Sequence, residues 1–180
     1  MRKVTANHLG TLLVLAVLAA LLIPGAAQAK DQPIQLSLVT PIQIFPADDA
    51  IVGLRFNLIY GKNASVTGLD LGLVNHLAGP STGVQLGLVG LANADFSGLQ
   101  DNWVNIIQGD LVGCQAGLVN STQGGMGFQY GVVNYAESLK GFQLGLVNYV
   151  GSFKGLQIGL VNIIRQGGQF PVFVIVNWAL

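Results

Sequence analysis

Reactive side chains are scarce in this chain of 180 residues. After residue 29 it holds one histidine, His76, and its single cysteine is Cys114. A hydrolytic triad would need His76 between a serine hydroxyl and a carboxylate, and Asp70 is the acid in the same repeat. No catalytic motif surrounds the pair, however, and a histidine that directly follows a strand-ending Asn75 reads as a solvated side chain. A metal centre needs several convergent ligands, which His76 and Cys114 do not make. Cys114 stands in a column otherwise filled by leucine, valine and phenylalanine, so it reads as a small buried hydrophobe. Asp48 and Asp49 follow Pro46 and read as a turn. Glycine is abundant, yet neither a G-x-x-x-x-G-K-[ST] loop nor a strand-to-helix G-x-G-x-x-G is present. The expectation is a protein that is not an enzyme and carries no cofactor or metal.

What fills the chain instead is repetition. On the frame G-L-Q-L-G-L-V-N, units begin at Gly53, Gly68, Gly83, Gly98, Gly113, Gly127, Gly141 and Gly155, with a degenerate ninth at Phe170. Successive starts lie 14 or 15 residues apart. Fixed self-similarity of this kind marks a stacked-repeat architecture.

The columns of the alignment give the local structure. Positions two, four and six are apolar in nearly every unit, as with Leu54, Leu69 and Leu156 at position two, Leu144 at four and Leu146 at six. Position three is glutamine in six units (Gln85, Gln100, Gln115, Gln129, Gln143, Gln157), and position five is mostly glycine. Alternation with period two predicts a strand buried on one face. The leucine columns are expected inside and the glutamine column outside, as a possible exposed face. Two glycines per unit, each costing about 1 kcal/mol in a helix, exclude helix.

Position eight is asparagine at Asn75, Asn105, Asn120, Asn134, Asn148, Asn162 and Asn177, with Tyr60 and Gly90 as departures. Asparagine tolerates left-handed backbone and makes corners, and in stacked coils equivalent amides can bond rung to rung. This is the expected structural corner column. The six or seven residues that follow, such as "YAESLK" from Tyr135, read as a return segment. An apolar residue usually sits two places before the next unit (Val66, Phe96, Leu111, Leu139, Phe153).

The predicted fold is therefore all-β, a β-solenoid of about nine coils of 14–15 residues with terminal caps. Residues 30–52, off-frame and with prolines, are the expected N-terminal cap. Residues 53–169 form the repeat domain, and residues 170–180 a degenerate C-terminal repeat or cap. The alternative is an outer-membrane β-barrel, each unit being one spanning strand with leucine toward lipid. The uniformly short linkers and single repeat direction favour the solenoid.

The N-terminus places the protein outside the cytoplasm. Arg2 and Lys3, the apolar run Thr11 to Ile23 and the small residues Ala27 to Ala29 have the order of a secretory signal peptide over residues 1–29. The run falls short of the roughly 20 residues of a membrane span. Removal at Lys30 leaves six basic against eight acidic side chains, a net charge of −2. That balance argues against nucleic acid, which calls for a basic stripe, and against polybasic anchoring to anionic lipid. One cysteine forbids an intramolecular disulfide.

"GLDLGLVNH", "GFQLGLVNY" and "GLQIGLVNI", with the lead-in "GLRFNLIYGKN" and the ending "FPVFVIVNW", resemble the GLQLGLxN surface-repeat proteins of bacteria, known from spirochaetes. The resemblance spans residues 33–180 and implies an exported, surface-associated repeat protein, with no active site to carry over. The unit at Gly98 departs most, with Asp101, Asn102 and Trp103 for Leu, Gly and Leu. The function expected is that of a structural or interaction module whose partner is a protein or a cell-envelope surface, the outer membrane among them.

Overall fold

A computed structural model describes residues 30–180; the signal-peptide assignment falls on residues 1–29, outside the described residues. The described chain is an all-β solenoid without helix. Its strands are β1 (Asp31–Val39), β2 (Ile42–Gln43), β3 (Ala50–Asn63), β4 (Ser65–Leu77), β5 (Ser81–Ala92), β6 (Phe96–Gln166) and β7 (Val172–Ala179). They form one sheet in the order β2-β1-β3-β4-β5-β6-β7.

Neighbouring repeats pair in parallel at the repeat register. Gly53 lies opposite Gly68, Gly68 opposite Gly83, and Gly83 opposite Gly98. The 71 residues of β6 stay extended while winding on, and Gly113, Gly127, Gly141 and Gly155 each sit on the carbonyl of the glycine one coil before. This parallel stacking is the solenoid arrangement, where a membrane barrel would alternate strand direction.

The position-one glycines are dictated by both space and backbone. At Gly155 φ is +147°, and a Cβ would collide with the Gly141 carbonyl oxygen. Only glycine combines that φ with so close an approach.

The two faces of the repeat strand are the reverse of the sequence expectation. The glutamines expected on an exposed face, Gln85, Gln100, Gln115, Gln129, Gln143 and Gln157, are fully buried, and Leu58, Leu73, Leu118, Leu146 and Leu160 are exposed. The physical reason is the return segment. It turns its own apolar residues inward: Val66, Leu77, Phe96, Ile107 and Leu111 in one cluster, Ala136, Leu139, Val150, Phe153 and Ile164 in another. These fill one side of a narrow coil. Stacked amides fill the other, most of them bonded to a neighbour, so that their burial carries little penalty; the side-chain oxygens of Asn57, Asn102 and Gln157 are the buried atoms left without a partner among the described residues.

The glutamine ladder runs unbroken. Gln157 Nε2 donates to Gln143 Oε1 at 2.6 Å, Gln143 to Gln129 at 2.6 Å, Gln129 to Gln115 at 2.8 Å, Gln115 to Gln100 at 3.0 Å and Gln100 to Gln85 at 2.9 Å. Its N-terminal end is an ion pair that sequence reading did not isolate. Gln85 donates to Asp70, which Arg55 grips with two bonds of 2.7 Å, both side chains lying deep in the core. Arg55 and Asp70 occupy position three of the first two units, the glutamine column, and departure from that column was the signal to find them.

The asparagines form a second ladder of opposite sense. Asn105 donates to Asn120, Asn120 to Asn134, Asn134 to Asn148 and Asn148 to Asn162, at 2.8–2.9 Å. Each of the last three donors also reaches a backbone carbonyl of the next coil, as Asn148 does to Ile158 at 2.9 Å. Position-five glycine makes the room: a Cβ at Gly145 would lie 2.6 Å from the Asn134 amide nitrogen.

Asparagines at position five supply a donor to the next column member beside both departures, although no bond joins Asn102 to Asn75 and the Asn102 oxygen has no partner among the described residues. The first unit gains a residue between Asn57 and Tyr60, which sets Gly61 opposite Asn75, and Asn57 Nδ2 donates to Asn75 Oδ1 at 2.9 Å. Where Gly90 leaves the column vacant, Asn102 enters and donates to Asn105 Oδ1 at 2.7 Å. Asn102 is one of the residues that made the Gly98 unit look aberrant. Asn177 is the exception. β7 runs antiparallel to the last coil with Asn177 opposite Gln157, so the Phe170 stretch does not continue the parallel stack. Asn177 instead donates to the Phe170 carbonyl at 2.9 Å and accepts from the Trp178 amide at 3.0 Å.

Candidate functional site: an exposed apolar face

With the amides inside, positions two, four and six form the outer surface of the sheet. Position six is a continuous apolar ridge: Leu58, Leu73, Leu88, Trp103, Leu118, Val132, Leu146 and Leu160, with Trp103 63% and Leu160 64% exposed. Position four supplies a second, including Phe56 and Tyr130. At position two Phe128 and Phe142 stack rung on rung, ring centres 5.2 Å apart.

Between ridges four and six runs a groove of about 890 Å³ whose floor is the backbone of Gly117, Gly131, Gly145 and Gly159. Trp103, Leu118, Leu146 and Leu160 line one wall, and Tyr130, Leu144 and Ile158 the other. Asp101 and Asn102 stand at one end and Ile175 of β7 at the other. Ile175 has φ +68°, an outlying backbone for a β-branched residue.

Charge is segregated from this face. Asp95, Asp110, Glu137, Lys140, Lys154 and Arg165 all lie exposed on the return segments. Within the eight-residue frames the charged residues are the buried Arg55–Asp70 pair and Asp101. The glutamine and asparagine columns are buried, and their amides bond mainly to one another and to backbone carbonyls rather than facing outward.

The residues considered for catalysis are not assembled. His76 Nδ1 lies 2.8 Å from the Tyr60 hydroxyl and Nε2 3.2 Å from Asn93 Oδ1. Burial lowers its pKa from the usual 6.5, partly offset by the Asn93 bond, with Lys62 and Arg55 adding to the lowering. Asp70 turns away to Arg55, Asn57 and Gln85. Cys114 is half-buried on the outer face rather than in the core, and burial followed by the charge of Asp101 raises its thiol pKa, which favours the thiol over the nucleophilic thiolate. Among the described residues no cluster of His, Cys, Asp or Glu could hold a metal ion.

The apolar face was missed because apolar columns were assigned to the core by default. One signal could have found it. The glutamine column is nearly uniform, as interlocking demands, whereas position six admits Leu, Trp and Val and position two admits Leu, Val, Cys and Phe. Comparison with protein-family models, with curated proteins and with solved structures finds no match.

Proposed function

We propose that this is an exported, surface-associated repeat protein, a structural or interaction module that works through its apolar face. The repeat domain of residues 53–169 is the working part; residues 30–52 precede it with β1, which is paired in parallel with β3 at the repeat register and so adds a coil rather than an off-frame cap, and residues 170–180 close the other end. The observation that carries this reading is the exposure of a whole apolar strand face while polar amides occupy the interior. From Gly53 to Gly155 the stack takes seven steps, about 34 Å at 4.8 Å each. Positions two to seven span about 17 Å. The resulting patch, roughly 580 Å² in projection, lies at the top of the about 300–600 Å² found as the largest patch on ordinary monomers, where such patches mark interaction sites. The signal-like segment and the GLQLGLxN resemblance support export and surface association.

The test is envelope fractionation of cells that make the protein, with the retained chain sized by mass spectrometry. The expected result is retention of a chain beginning at Lys30, and release of a Leu118→Ser/Leu146→Ser/Leu160→Ser variant whose circular dichroism is unchanged. Equal retention of the folded variant refutes the role of the face.

A further inference from the structure

We infer that the occupant of the apolar face is a second copy of this chain, its rod parallel to the first. The inference rests on the interaction-module reading above. The groove between ridges four and six runs along the solenoid axis, and its walls repeat once per coil. An object that fills it needs an apolar ridge of the same pitch. The position-six column, from Leu58 to Leu160, is such a ridge.

Symmetry supplies the fit. A two-fold axis parallel to the rod, between columns five and six, maps each position-six ridge onto the partner's glycine-floored groove and groove onto ridge. This is an isologous contact that closes at two copies. Equal pitch must hold over the whole length, and side-chain ladders are what keep a stacked sheet flat. Both amide ladders bond rung to rung here, at 2.6–3.0 Å in the glutamine column.

Area and charge agree. Columns four to seven cover about 14 Å with their side chains, and eight steps from β3 to β7 about 38 Å. Two copies then bury roughly 1,060 Å² in projection, before side-chain corrugation is counted, and a specific interface needs about 1,000 Å². The rotation leaves Asp101 in column four, at the solvent rim. A lipid surface is the weaker match, because membrane-lying faces are flanked by basic residues, and Lys140, Lys154 and Arg165 stand on the return segments.

The experiment is light scattering on the full chain, purified as the cell processes it, beside a Leu146→Lys/Leu160→Lys variant and a Glu137→Lys control on the return segment. The expected masses are a dimer for the parent and the control and a two-fold lower mass for the double variant, with unchanged circular dichroism. In a Cys114→Ser background, Leu160→Cys should be bridged between copies by a short bismaleimide, because equal rungs face each other. A dimer that persists in the folded double variant, or no bridging in a proven dimer, overturns the arrangement. A monomeric parent overturns the self-association. If that monomer still binds envelope fragments, or vesicles of phosphatidylethanolamine and phosphatidylglycerol, through the same leucines, the interaction-module reading survives. If it binds neither, both fall.

Discussion

Exchanging the identities of two neighbouring side chains puts the unusual interior to the test. Gln143 and Leu146 have similar size, lie three residues apart, and are fully buried and 51% exposed respectively. Gln143 Nε2 donates to Gln129 Oε1 at 2.6 Å and to the Tyr149 carbonyl at 3.4 Å, and its own oxygen accepts from Gln157. Gln143→Leu keeps the shape and removes all three bonds. It strands one carbonyl outright and leaves Gln157 with a 3.3 Å contact to the Ile163 carbonyl. Each unmet buried group costs about 1–3 kcal/mol, so the loss should be roughly 2–4 kcal/mol. For a domain of this size that lowers the thermal midpoint by about 5–15 °C. Leu146→Gln should change stability by about 0.5 kcal/mol or less, as surface substitutions do. Any extra loss through a dimer would depend on protein concentration. Scanning calorimetry at two concentrations reads both quantities. A larger concentration-independent loss for Leu146→Gln than for Gln143→Leu would mean that the apolar face is the buried one.

Three further outcomes are expected. Asn134→Leu and Asn148→Leu should each destabilise, and the double variant should cost less than their sum because the two amides share a bond; strict additivity in denaturant melts would remove the ladder. Arg55→Met strands the Asp70 carboxylate in the core and should cost about 3–5 kcal/mol, whereas Arg55→Gln/Asp70→Gln extends the glutamine column and should recover most of it; a double variant as unstable as Arg55→Met contradicts this. His76 should titrate below 6.5 by NMR, because burial disfavours its charged form. Its contribution to stability is then complete above the unfolded value near 6.5 and falls as pH drops through that value toward the folded pKa; a measured pKa at or above 6.5 refutes the burial argument.

Coil length, repeat boundaries and strand character were legible because 14- to 15-residue self-similarity and period-two alternation are local properties. The side of the strand that faces inward was not. Alternation separates two faces without ranking them, and the rule that apolar faces go inside has force only when nothing else fills the core. Here Leu139, Val150, Phe153 and Ile164 from the return segments do so, a contribution visible in part as the apolar residue two places before each unit. The asparagine ladder was legible at Asn134 and Asn148, since identical amides at fixed spacing invite it. The donors supplied by Asn57 and Asn102 were not, because they depend on a local register shift and on a vacancy one coil away. The direction of β7 depended on how the last coil is closed, a choice outside the repeat pattern.

The two amide columns also make the molecule extensible. From Gly113 to Gly155 every coil presents the same acceptor on one side and the same donor on the other, so a duplicated unit inserted between two of them finds its bonds already waiting. Deleting a whole unit rejoins matching partners, whereas losing part of one would break both columns. Length can therefore drift by gene duplication in steps of about 4.8 Å without redesign of the interior, and each step adds or removes one full row of the apolar face. Copy number becomes a heritable dial on reach and contact area, independent of point mutation.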